Sequence, residues 1–174
     1  DCEHDKILRN EKMSKSKLNG VNLDEILQLM HPEAARMYIL YAAPYQKSFL
    51  WKDDDIFGFK RLFIKIESWI SCTNNDKQIE EIHNILCDIH RLIELEISKV
   101  GNFNMIISLF FKCVNIPFKP NLYLKEYFLK LLFIFCPDFS ENLSLKYLNK
   151  SVELLDDFKE QIKYTYTIIY KKSY

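Results

Sequence analysis

Two lysines and two serines stand within five residues, Lys12-Met13-Ser14-Lys15-Ser16, and a third lysine follows at Lys17. Lysine carries a compact ammonium with three donors on a flexible stem, which suits it to following phosphate oxygens as bond order changes. Each charge-assisted hydrogen bond from such a group is worth about 1.5–3 kcal/mol. Ser14 and Ser16 are small enough to let a loop close on phosphates, and Asn19-Gly20 supplies turn chemistry tolerant of positive φ. Met13 reads as an apolar anchor. The plain alternative is a solvated lysine- and serine-rich linker, because short lysine runs usually face water.

The elements that must position this loop are helical. Asn22 caps a short helix with Glu25 three residues on, a capping-box spacing, and the run stops at His31-Pro32. Pro32 opens a second helix through Glu33 to Ala43, closed by Pro44. Four longer apolar-periodic stretches follow. Ile56, Phe59, Phe63, Ile66 and Ile70 share one face of the first. Ile79, Ile82, Leu86, Ile89, Ile93, Ile97 and Val100 step by threes and fours through the second, which ends at Gly101. The third covers Phe103 to Asn115 and the fourth Tyr123 to Cys136, before Pro137. Four amphipathic helices on short connections predict an all-α bundle. The last stretch changes character: helical spacing runs from Ser151 to about Ile162, then Lys163 to Tyr170 alternates like a β-strand.

Composition agrees with a folded body. Hydrophobic residues make up 48% of the 174 and charged ones 28%, which is globular territory. The net charge of zero and pI of about 7.1 are unusual for a nucleic-acid binder, which normally needs a basic face. Lysines do cluster near both ends, with Lys159, Lys163, Lys171 and Lys172 at the second. The five cysteines are odd in number and lack paired zinc spacing, so a reducing compartment is expected. His83, Cys87 and His90 fall on one flank of the second long helix, but with no fourth ligand evident they read as packing or surface residues rather than a metal site. Cys2-Glu3-His4-Asp5 is ligand-rich but short, and reads as the stump of an upstream segment. No leader and no apolar span near twenty residues is present, so membrane insertion is unsupported.

The run Glu11-KMSKSKLNGVNLDEIL holds the KMSKS signature of class I aminoacyl-tRNA synthetases, and its continuation resembles the leucyl-tRNA synthetases of bacterial or organellar type. PEAARMYILYAAP is similar to that family's arginine-centred helix, and KSFLW to its linker ending in tryptophan. MIISLFFKCVN and FCPDFSENL are similar to two further family segments. The chain departs from the pattern at Tyr45, Gln46, Asp138 and Asn142, and the tryptophan that commonly closes the last segment is absent.

The resemblance implies a division of labour. Residues 1–52 would end a catalytic domain, with Lys12, Met13, Ser14, Lys15 and Ser16 as the ATP-binding loop. Residues 53–150 would form a bundle of the anticodon-binding type, and 151–174 would lead into a further domain. Lys15 would carry most of the stabilisation of the departing pyrophosphate, with Lys12 assisting, and ATP would arrive with Mg2+. Partners would be tRNA(Leu), ATP, leucine and the N-terminal part of the same enzyme, in a bacterial cytoplasm or an organelle matrix. Arg36 is expected to make an ion pair or a helix contact rather than to touch tRNA. No His-x-Gly-His string occurs, so these residues alone are expected to make no leucyl-adenylate. A sibling synthetase for isoleucine, valine or methionine, and a free-standing helical module binding tRNA or protein, remain as alternatives.

Overall fold

The structure, a computed structural model, describes residues 12–44, 47–72, 80–97, 103–117 and 119–153. Among the described residues, one 3-10 turn at Lys15–Lys17 is followed by seven α-helices: α1 (Leu23–Leu29), α2 (Pro32–Ala42), α3 (Asp53–Ser71), α4 (Glu80–Ile97), α5 (Phe103–Asn115), α6 (Leu122–Phe133) and α7 (Pro137–Leu148). No strand occurs among the described residues, and the all-α expectation holds. The expected helix beginning at Ser151 does not start there, since Ser151–Glu153 are irregular. The rest of that segment, with the expected strand at Lys163–Tyr170, lies outside the described residues.

Sequence chemistry sets the ends of these helices. Asn22 accepts a hydrogen bond from the Asp24 N–H at 3.1 Å, and its amide reaches Glu25 at 3.1 Å, a variant of the predicted capping box. Asn121 caps α6 through the Leu124 N–H at 2.9 Å. Three aspartates fill the first turn of α3, where the helix dipole favours negative charge. Asn149, with φ of 54°, closes α7 in the left-handed conformation.

Where they are described, the predicted stripes are the core; Ile79, Val100 and the expected end at Gly101 lie outside the described residues. Ile56, Phe59, Phe63, Ile66 and Ile70 of α3 are all buried, as are Ile82, Leu86, Ile89 and Ile93 of α4. α3, α5, α4, α6 and α7 form a closed ring in that order, each packing on the next and α7 returning to α3, while α2 lies against α3 and α5. Phe128 sits at its centre, 4.9 Å from the Trp69 ring and 5.4 Å from Phe110.

The bundle has one helix more than the four stripes suggested. The chain turns at Ile134-Phe135, where the N–H groups of Phe135 and Cys136 both reach the Leu132 carbonyl at 2.9 Å. Pro137 then starts α7, which buries only Ser140, Leu143 and Ser144. So sparse an apolar face leaves no stripe to read.

On the surface, Lys146 of α7 bonds Glu67 of α3 at 2.8 Å and Tyr147 joins at 3.1 Å. The Lys146 hydrogen bond, then that of Tyr147, holds the Glu67 carboxyl below its ordinary 4.5. A depressed carboxyl contributes stability above its unfolded value and loses it as pH falls through the folded one; exposure keeps this contribution small. Inside, burial pushes the Cys113 thiol up to about 12 from 9.0. Stability linked to a raised thiol is complete below pH 9.0 and declines as pH climbs toward the folded value.

Candidate functional site

The lysine loop is closed by one side chain. Asn19 accepts from the Ser14 N–H at 2.8 Å and donates to the Lys12 carbonyl at 3.3 Å, drawing the first half of the motif onto a single amide. Between them the Lys17 N–H reaches the Ser14 carbonyl at 3.2 Å, forming the 3-10 turn that Lys15 opens. Ser14 and Ser16 face each other with hydroxyls 2.7 Å apart. Lys12, Met13 and Ser16 are exposed and Ser14 is half-buried.

Two local expectations change here. Positive φ falls on Leu18, at 52°, and on no described glycine. Asn19 acts through its side chain, and Leu18, the residue after the 3-10 turn, takes the left-handed conformation instead. That conformation costs a non-glycine residue about 1–2 kcal/mol, and Leu18 is 92% exposed, so packing offsets none of it. Met13, 43% exposed, is not anchored in the core. It joins Leu18, Val21 and Asn22 around a shallow hollow beside the loop.

The electrostatics suit an anion. From Lys12 to Leu23 the chain carries three lysines and no carboxylate, so nothing within the loop neutralises its field. One serine hydroxyl donates to the other, which keeps its own proton for an acceptor such as a phosphate oxygen.

Behind the loop, α1 packs on α2, and α2 is fastened to the bundle at its first turn. Glu33, only 4% exposed, accepts the Asp138 N–H at 3.1 Å and the Phe139 N–H at 2.8 Å. Both are orphan donors at the start of α7. Arg36 pairs with Glu33 at 3.2 Å and donates to the Phe135 carbonyl, so it is an ion-pair and helix-packing residue as expected. His31 lies 5.9 Å from both Phe63 and Phe139. Farther along α2, the Tyr38 hydroxyl bonds the backbone of Lys52 at 3.2 Å. Trp51 packs edge-on against Tyr38 at 5.1 Å and donates to Asp53 at 2.8 Å.

Sequence reasoning missed Glu33. Cys136, the residue before Pro137, makes no side-chain cap, so α7 takes its acceptor from elsewhere in the fold.

The histidine and cysteine flank of α4 is occupied by local contacts. His90 Nδ1 lies 2.6 Å from the Tyr127 hydroxyl, and Cys87 Sγ lies 3.7 Å from His83. Among the described residues no group of three His, Cys, Asp or Glu side chains is placed to hold a metal ion, and no helix is long and apolar enough to cross a membrane.

Comparison with known proteins sets the class first. Residues 5–61, which hold the loop, α1, α2 and the start of α3, match the family described as tRNA synthetases class I (M). The chain is 34% identical over 117 residues to the leucine–tRNA ligase of Prochlorococcus marinus strain NATL1A, covering 60% of this chain and 14% of that protein. With the leucine–tRNA ligase of Chlamydia muridarum it shares 30% over 142 residues, 78% of this chain and 17% of that protein. The Brachyspira hyodysenteriae leucine–tRNA ligase is 38% identical over 64 residues, 37% of this chain and 8% of that protein. The chain belongs to the leucyl-tRNA synthetase family. It spans a small part, 14% and 17% in the first two cases, of the length of those relatives.

Proposed function

We propose that this chain supplies the ATP-phosphate loop and a tRNA-facing helical bundle to a leucine–tRNA ligase, which activates leucine with ATP and passes it to tRNA(Leu). The observation that carries the reading is the carboxylate-free lysine loop, closed by Asn19 and mounted on a helix pair fixed to the bundle. Leucine carboxylate attacks the α-phosphorus of ATP, and negative charge builds on the departing pyrophosphate. Lys15 stabilises that charge, Lys12 assists, and Ser14 and Ser16 exchange their mutual hydrogen bond for phosphate oxygens. Magnesium travels with ATP as part of the substrate, since the loop offers it no carboxylate ligand. Residues 1–52 finish the catalytic region, 53–150 form the tRNA-facing bundle and 151–174 lead onward, although α2 shares one apolar core with the bundle. Such an enzyme works in a bacterial cytoplasm or an organelle matrix.

The test is amino-acid-dependent ATP–pyrophosphate exchange by the complete ligase containing this chain. Leucine should support exchange, while isoleucine, valine and methionine should not. Exchange driven by one of those three instead would contradict leucine specificity, and exchange driven by none would contradict synthetase activity. The 174 residues alone should give no exchange, because His-x-Gly-His is absent from them.

A further inference from the structure

We infer that Glu33 is a positioning residue for the ATP-binding loop, acting through the first turn of α2. The inference rests on the proposed reading of residues 12–16 as the ATP loop. Burying a carboxylate is costly unless it is paired and hydrogen-bonded, and Glu33 is satisfied from two directions: two backbone N–H groups of α7 and the Arg36 guanidinium.

A serine or aspartate at position 136 would cap α7 locally. The acceptor instead comes from a residue more than a hundred positions away, so the contact fixes the mutual placement of two elements as well as one helix end. What it places is close at hand. Glu33 lies four residues beyond the end of α1, and α1 has seven residues, about 10 Å of helix at 1.5 Å per residue. The KMSKS loop is at its far end. α1 buries only Ile26, so its direction relative to the bundle is set chiefly by the turn at Met30-His31-Pro32, which the Glu33 contact and the His31 stack hold from behind. Arg36 braces the carboxylate and ties it to the α6–α7 corner at Phe135. Release of this joint would leave α7 fraying and α1 free to tilt, carrying the lysines off the phosphates.

The experiment compares Glu33→Ala, Glu33→Gln and Arg36→Gln in the complete ligase, each held well below its own melting temperature. Glu33→Ala should lower kcat for leucine-dependent exchange about ten- to a hundred-fold, the scale of a reacting group misplaced by about 1 Å, with KM for leucine unchanged. Glu33→Gln keeps the length and one acceptor, and should recover most of that loss. A folded Glu33→Ala protein that melts earlier yet exchanges at the wild-type rate would reduce Glu33 to a helix cap and overturn the inference. Should Glu33→Ala not fold, Arg36→Gln leaves the α7 cap in place; it should lower kcat several-fold without raising KM for leucine, and a wild-type rate there would overturn the inference equally. Wild-type enzyme without leucine-dependent exchange would instead overturn the proposed function, so the two failures are distinguishable.

Discussion

Lys15→Ala in the complete ligase should slow leucyl-adenylate formation by about a hundred- to a thousand-fold, the scale of removing one donor aimed at developing charge. Leucine affinity should barely move. The ammonium's contact strengthens only as the pyrophosphate departs, so its loss belongs to turnover more than to ground-state binding. Lys12→Ala should act in the same direction and more weakly. Rapid-quench measurement of adenylate in a single turnover reads this step without interference from tRNA charging. A solvated linker predicts no change at either lysine, because a charge far from the phosphates has nothing to stabilise.

The second large effect is on stability. Phe128 is fully buried between Trp69 and Phe110, where the five-helix ring converges. Phe128→Ala should destabilise the chain by about 3–5 kcal/mol, a large share of the roughly 5–15 kcal/mol that holds a typical domain together. Urea unfolding should show the midpoint falling with an unchanged slope, since the surface exposed on unfolding hardly differs. Met105→Ala, at an exposed position of α5, is the control and should shift stability by less than about 0.5 kcal/mol. Equal midpoints for the two variants would place the core elsewhere.

Helices whose burial is periodic were legible in the sequence. α3 and α5 show it best: five isoleucine and phenylalanine positions on α3 are buried as their spacing requires, and α5 has the predicted bounds, Phe103–Asn115. α7 escaped because its buried face is two serines and one leucine, a pattern that a polar loop would also show. The turn geometry of the loop escaped for a different reason. Asn19 and Gly20 advertise a turn, but composition does not say that Asn19 works through its side chain while Leu18 takes the positive φ. Glu33 was hidden by distance: its partners are backbone N–H groups of α7, and backbone groups leave no residue-type signature in sequence. Arg36 was more readable, because it stands at the arginine of the family's similar helix and was expected to make an ion pair or a helix contact, as it does with Glu33. Membership of the synthetase family was carried by the loop and its flanks, and the family match over residues 5–61 covers that same stretch.

The claim that residues 12–16 grip ATP is tested most directly by lysine footprinting. Reductive methylation of the complete ligase, read by mass spectrometry with and without ATP, magnesium and leucine, reports the accessibility of each ammonium. Lys12 and Lys15 should be protected when the substrates are bound, while Lys112 on the exposed face of α5 should label at the same rate throughout. Unchanged labelling of Lys12 and Lys15 under saturating ATP and leucine would contradict the account.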